Sequence, residues 1–81
     1  MTIVASEIFD SLQKSGKVPY GWKAARQGIR KVKVKNLSIL SALREHYAGE
    51  WRKVYHLGQD GTEIHYFEHE RTRKVWGVKV K

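Results

Sequence analysis

Residues 49–81, GEWRKVYHLGQDGTEIHYFEHERTRKVWGVKVK, read as three strands joined by two tight turns. Gly-Gln-Asp-Gly at 58–61 carries the stronger turn signal, since glycine supplies positive φ and Asp60 can bond its own backbone. Glu-Arg-Thr-Arg at 70–73 is the second turn. The segments between are rich in Val, Ile, Tyr, Trp and Thr, which suit a pleated surface. With a loop at 58–61, Leu57 opposes Thr62 and Tyr55 opposes Ile64. With a loop at 70–73, His69 opposes Lys74 and Phe67 opposes Trp76. Period-two alternation then puts Val54, His65, Phe67, Trp76, Val78 and Val80 on one face, the expected core face. Trp51, Lys53, Tyr55, Leu57, Ile64, Tyr66, Val75 and Lys79 fall on the other. A bulge in either hairpin would exchange parts of these sets.

A meander of this size needs helices against one face, and the first 48 residues are expected to supply them. Ile3, Val4, Ile8, Phe9 and Leu12 form an apolar stripe that predicts a helix over 2–15. Thr2 or Ser6 serves as its N-cap, and a Ser6 cap leaves 2–5 as an extended lead-in. Gly16 and Pro19 supply the stop signals. A short second helix is read at 22–27, ended by Gly28. Lys31-Val-Lys-Val-Lys35 alternates as an edge strand whose lysines discourage pairing with other chains. Asn36 caps a further helix over 37–48, with Leu37, Leu40, Leu43 and Tyr47 on one side and Gly49 at its end. The fold class expected is α+β, with two or three N-terminal helices packed on a small antiparallel sheet that ends in a three-stranded meander.

The 81 residues suffice for one domain, read over 1–81, and a chain this short buries only about 60–65% of its unfolded surface. There is no cysteine, so neither disulfides nor thiolate zinc sites can staple it. Glu7 interrupts the apolar start before a signal peptide can form, and no apolar run reaches the roughly 20 residues that span a bilayer. The expectation is a soluble cytoplasmic protein without membrane association. Sixteen basic residues against eight acidic ones leave a formal charge of +8, a field that favours polyanions.

Six cations, Lys23, Arg26, Arg30, Lys31, Lys33 and Lys35, occupy thirteen residues without an acidic neighbour. Such a cluster can neutralise phosphates, with Arg44, Lys53 and Lys79 extending it and Arg71 and Arg73 at a hairpin tip. Trp51, Tyr55 and Tyr66 on an uncovered sheet face would form a stacking platform for bases. The leading expectation is a nucleic-acid-binding module, RNA-binding or DNA-binding, acting through these basic and aromatic residues.

The histidines carry an alternative. Metal-independent RNA cleavage needs a base, an acid and cations for the developing charge. His56, His65 and His69, with Glu63 and Glu68, fall on neighbouring strands, and His65, His69 and Glu63 are the catalytic candidates. On a strand, His65 and His69 lie about 13 Å apart, which removes their spacing as a metal-ligand signal. No phosphate loop or dinucleotide fingerprint is present, so no cofactor and no metal are expected. A third alternative is an adaptor or inhibitor recognising an acidic protein.

The layout of N-terminal helices followed by a basic antiparallel sheet resembles that of small bacterial ribonuclease toxins, including the RelE/ParE-like group. The resemblance is one of architecture over most of the chain and implies RNA-directed activity without assigning catalytic positions. Members of that group often start with a strand, where this sequence predicts a helix.

Overall fold

A computed structural model describes residues 3–4, 7–18 and 21–81. Five strands and two helices follow one another as β1 (Ile3–Val4), α1 (Ile8–Lys14), β2 (Ala24–Lys33), α2 (Leu37–His46), β3 (Trp51–Gly58), β4 (Glu63–His69) and β5 (Lys74–Val80). The strands form one antiparallel sheet in the order β1-β5-β4-β3-β2. The α+β class and the closing meander agree with the sequence reading. Among the described residues no helix is long and apolar enough to cross a membrane.

The first hairpin turns one residue differently from expectation. Gly58 N–H donates to the Thr62 carbonyl at 2.7 Å, and Thr62 N–H donates to Asp60 Oδ1 at 3.0 Å. Gly61, at φ 86°, completes a three-residue loop over 59–61 in place of the four-residue loop expected. Tyr55 therefore opposes His65, and Val54 opposes Tyr66. A one-residue slip exchanges the two faces of a strand. The expected grouping of Val54 with His65, Phe67 and Trp76 is thus corrected.

In the second hairpin Phe67 opposes Trp76 as expected. A bulge follows, because His65 pairs with Lys79, so that three steps along β5 match two along β4. Gly77 provides the extra residue at φ 68°. The bulge returns Lys79 to the face that already holds His65, Phe67 and Trp76.

The core lies on the opposite face. Val54, Ile64, Tyr66 and Val75 pack there with Ile8 and Leu12 of α1, together with Val18 and Trp22. Phe9 adds an edge contact to His56 and a tilted one to Trp22. The helix read over 2–15 is thus shorter: Ile3 and Val4 pair with Val75 and Lys74 of β5, as an extended lead-in would allow. Glu7 takes the N-cap position, and the caps proposed at Thr2 and Ser6 lie outside the described residues, as does Pro19. Gly16 ends α1 as expected, in a Schellman arrangement with Lys17 N–H on Leu12 O and Gly16 N–H on Gln13 O.

The helix expected at 22–27 is absent, and β2 runs there. Six residues before Gly28 are too few to repay helix nucleation, whereas the outer edge of β3 offers backbone partners, Gly58 for Ala24 and His56 to Arg52 for Ile29 to Lys33. β2 is the edge strand that the lysine alternation suggested, irregular between Ala24 and Ile29 and regular from Ile29 to Lys33.

α2 begins as read, with Asn36 Oδ1 accepting from Ile39 N–H at 3.1 Å. It stops at His46, two residues early, because Tyr47 turns extended and sets its ring edge-on against His69. Leu43 is buried, but Leu37 is 77% exposed, so the apolar stripe is only partly covered. α2 lies across one end of the sheet face that α1 leaves free: Tyr47 O accepts from Trp51 Nε1–H, and the His46 ring lies tilted against Trp76.

Candidate nucleic-acid interface

Two adjacent rows of side chains cross the open sheet face. Arg30, Tyr55, His65 and Lys79 are successive register partners from β2 to β5, with cations at both ends and rings between them. Val32, Lys53, Phe67 and Trp76 form the second row in the same way. The pairing brings together residues up to 49 positions apart in sequence, Arg30 and Lys79 being the extremes. Both rows depend on the three-residue loop, and the first depends on the Gly77 bulge as well.

Cations and rings are in contact within these rows. The Arg30 guanidinium lies 4.5 Å over the Tyr55 ring, and Lys53 Nζ lies 5.3 Å from Tyr55 and 5.7 Å from Phe67. His65 approaches Tyr55 edge-on at 4.6 Å. A groove of about 460 Å³ opens between these rows and the start of α2. Arg30, Lys33, Lys35 and Lys53 line it as cations, and Val32, Val34, Ile39, Tyr55 and Phe67 supply apolar and aromatic surface. Among the described residues no carboxylate lines it.

Four acids are paired with cations outside the groove. Glu50 pairs with Arg44, Glu70 with Arg52, and Asp10 with Lys14. Glu68, buried on the core face, contacts Lys31 Nζ at 3.0 Å and Arg73 Nε at 3.2 Å, the latter without hydrogen-bond alignment. The residues expected to bind phosphate therefore divide. Arg30, Lys53, Tyr55 and Lys79 share the open face by register, while Lys33 and Lys35 border the groove at the end of β2 and just beyond it, Lys33 alternating onto the same side as Lys31. Lys31, Arg44 and Arg73 carry carboxylate partners, and Arg71 is exposed at the second hairpin tip. Tyr66 is only 3% exposed and lies in the core, so it cannot share a platform with Tyr55.

The catalytic candidates also separate. His65 is in the open face's ring-bearing row but is 8% exposed, with Nε2 3.4 Å from Glu63 Oε2. His69 is buried between Tyr47 and Trp51, and both its nitrogens are engaged. Its Nε2–H donates to Ala48 O at 2.9 Å, while Nδ1 accepts from Thr72. Three residues of β4 separate it from His65.

Phe67 and Trp76 were read as core and are the interface residues that sequence reasoning missed. Trp76 is 49% exposed and Phe67 half-buried. Their face is decided by the register of the first hairpin, where Gly61 allows the three-residue loop that sets Phe67 opposite Lys53. His56, on the core face, shares a 2.8 Å hydrogen bond with the Tyr66 hydroxyl. Burial, chiefly, and then Lys31 hold the His56 pKa below its usual range, with Glu68 acting against them. Burial, aided by Glu68, pushes the Tyr66 hydroxyl up to about 12.

Compared with protein-family models, curated proteins and solved structures, the chain matches none.

Proposed function

We propose that this protein binds nucleic acid through the groove between α2 and the open sheet face. The observation that supports this reading is the carboxylate-free lining: Arg30, Lys33, Lys35 and Lys53 converge on one groove while the neighbouring acids are paired with other cations. Concentrated, uncompensated positive charge beside ring surface suits phosphates flanked by bases, a combination other polyanions lack.

Binding through four such cations releases counterions. The affinity for a labelled oligonucleotide then falls with salt with a log–log slope of about −3 for a single strand and slightly steeper for a duplex. Neutralising Lys33 and Lys35 together (K33Q/K35Q) weakens binding and lowers the slope by about 1.4. Weak association that ignores salt defeats the proposal. Equal affinity for polyglutamate transfers it to an acidic protein partner.

A second reading, RNA cleavage, is favoured by His65, which lies between Tyr55 and Lys79 in register and carries Glu63 on its ring nitrogen. Cleavage in the presence of chelator that disappears in His65→Gln supports it. Intact RNA after incubation rejects it.

A further inference from the structure

The groove's cations would serve any phosphate polymer, but its rings would not. Phe67 and Trp76 are direct cross-strand partners, and Tyr55 is the diagonal neighbour of Phe67, since its own partner is His65. Diagonal neighbours lie about 7–8 Å apart. In a duplex the bases follow one another every 3.4 Å along each strand and already cover each other's faces. A duplex therefore offers these rings only its backbone and groove edges. Bases that have come apart, as in a single strand, can reach rings at this spacing.

The rings are also held ready for stacking. His46 lies against Trp76 with centroids 3.9 Å apart and ring planes tilted by 35°, a contact that steadies an indole otherwise half exposed. Arg30 lies over Tyr55, and a guanidinium plane accepts a base much as a ring does. Lys53 reaches toward both Tyr55 and Phe67, the position a phosphate linking two separated bases would occupy.

We propose that the groove's occupant is a single-stranded nucleic acid, its bases laid on Arg30–Tyr55 and on Phe67–Trp76 and its phosphates along Lys33, Lys35 and Lys53. This rests on the nucleic-acid reading above and adds the strandedness. Trp76 supplies a direct probe, because Trp22 and Trp51 are buried at 8% and 4% exposure.

The test compares three ligands on the full chain: a single-stranded DNA oligonucleotide, its duplex with the complement, and inorganic polyphosphate of matched charge. The expected result is single-strand affinity at least about tenfold above duplex, with quenching of the accessible tryptophan emission. Tyr55→Ala and Trp76→Ala, checked for folding by thermal melting, each lower single-strand affinity about fivefold or more, and Tyr55→Phe restores it. Equal or tighter duplex binding overturns the single-strand proposal and leaves the nucleic-acid reading standing. Polyphosphate binding as tightly as both DNA ligands overturns the two together, as does failure of all three to bind. Should Trp76→Ala fail to fold, Arg30→Ala at the exposed edge must produce the same selective loss.

Discussion

The imidazole of His69 and the Thr72 that follows it form a closed unit: Nδ1 accepts both the Thr72 backbone N–H, at 3.1 Å, and its hydroxyl, at 2.9 Å. The opposite nitrogen donates to Ala48 O in the connection between α2 and β3. One side chain thereby ties the second hairpin turn to the end of α2, the wall of the groove. A buried residue with every polar atom engaged is a fastener rather than an acid or base.

His69→Ala should therefore cost stability rather than chemistry. It strands the Ala48 carbonyl and opens space between Tyr47 and Trp51. A loss of about 2–4 kcal/mol is expected, combining unmade hydrogen bonds with a cavity. Urea unfolding measures it, and an unchanged midpoint would contradict this role. His65→Ala, which gives up one 3.4 Å polar contact and an edge-on contact with Tyr55, should change stability less.

The contrast between the two histidines shows what could be read in the sequence. Turn chemistry located both hairpins, Asn36 located the start of α2, and the lysine alternation located the edge strand. Register was harder, because Gly58 and Gly61 both permit a turn and only backbone pairing selects the loop over 59–61. That single residue decides whether Tyr66 joins Tyr55 or the core. Similarly, nothing local distinguishes a short helix at 22–27 from a strand. The choice was made by the unpaired edge of β3, a tertiary demand invisible in the window. The basic cluster was legible as composition, but its division into groove-lining and carboxylate-bound cations required the fold.

The paired and unpaired lysines make that division measurable. Lys31 and Arg73 both serve Glu68, whose side chain is 4% exposed, so K31Q/R73Q leaves a buried carboxylate poorly compensated. Both cation heads retain access to water, which limits the expected cost to about 1–2 kcal/mol. K33Q/K35Q touches no such partner and should leave the unfolding midpoint unchanged while weakening oligonucleotide binding. A reversal of these two outcomes in paired stability and affinity measurements would overturn the assignment of roles.

His56 gives a pH dependence of known sign. Burial and Lys31 lower its pKa from the usual 6.5 in the folded state. Well above 6.5 the ring is neutral whether the chain is folded or not, and this group contributes no slope. Between 6.5 and the lower folded value, the unfolded chain binds a proton that the folded chain refuses. Stability therefore falls on acidification through this window, by at most about 1.4 kcal/mol per pH unit, and levels off below the folded value. Denaturant unfolding of the wild type and His56→Gln at stepped pH isolates the effect. The variant should have the shallower dependence, and identical curves would show that His56 does not carry it.

Gly77 links the backbone to the proposed interface. At φ 68° it occupies the left-handed region, and a Cβ placed there meets Phe67 Cδ2 at 3.3 Å. Gly77→Ala should cost about 1–2 kcal/mol from backbone strain, with the Phe67 contact adding to it. The chain can relieve that strain by giving up the bulge, but then β5 beyond position 77 reverses its faces and Lys79 leaves the row it shares with Arg30, Tyr55 and His65. Either way the variant removes no charge and no ring. Its melting temperature should fall, and its single-strand affinity, measured well below that temperature, should fall severalfold. Full affinity in a stably folded Gly77→Ala would mean that the alignment of Lys79 with the rings is not what binding uses.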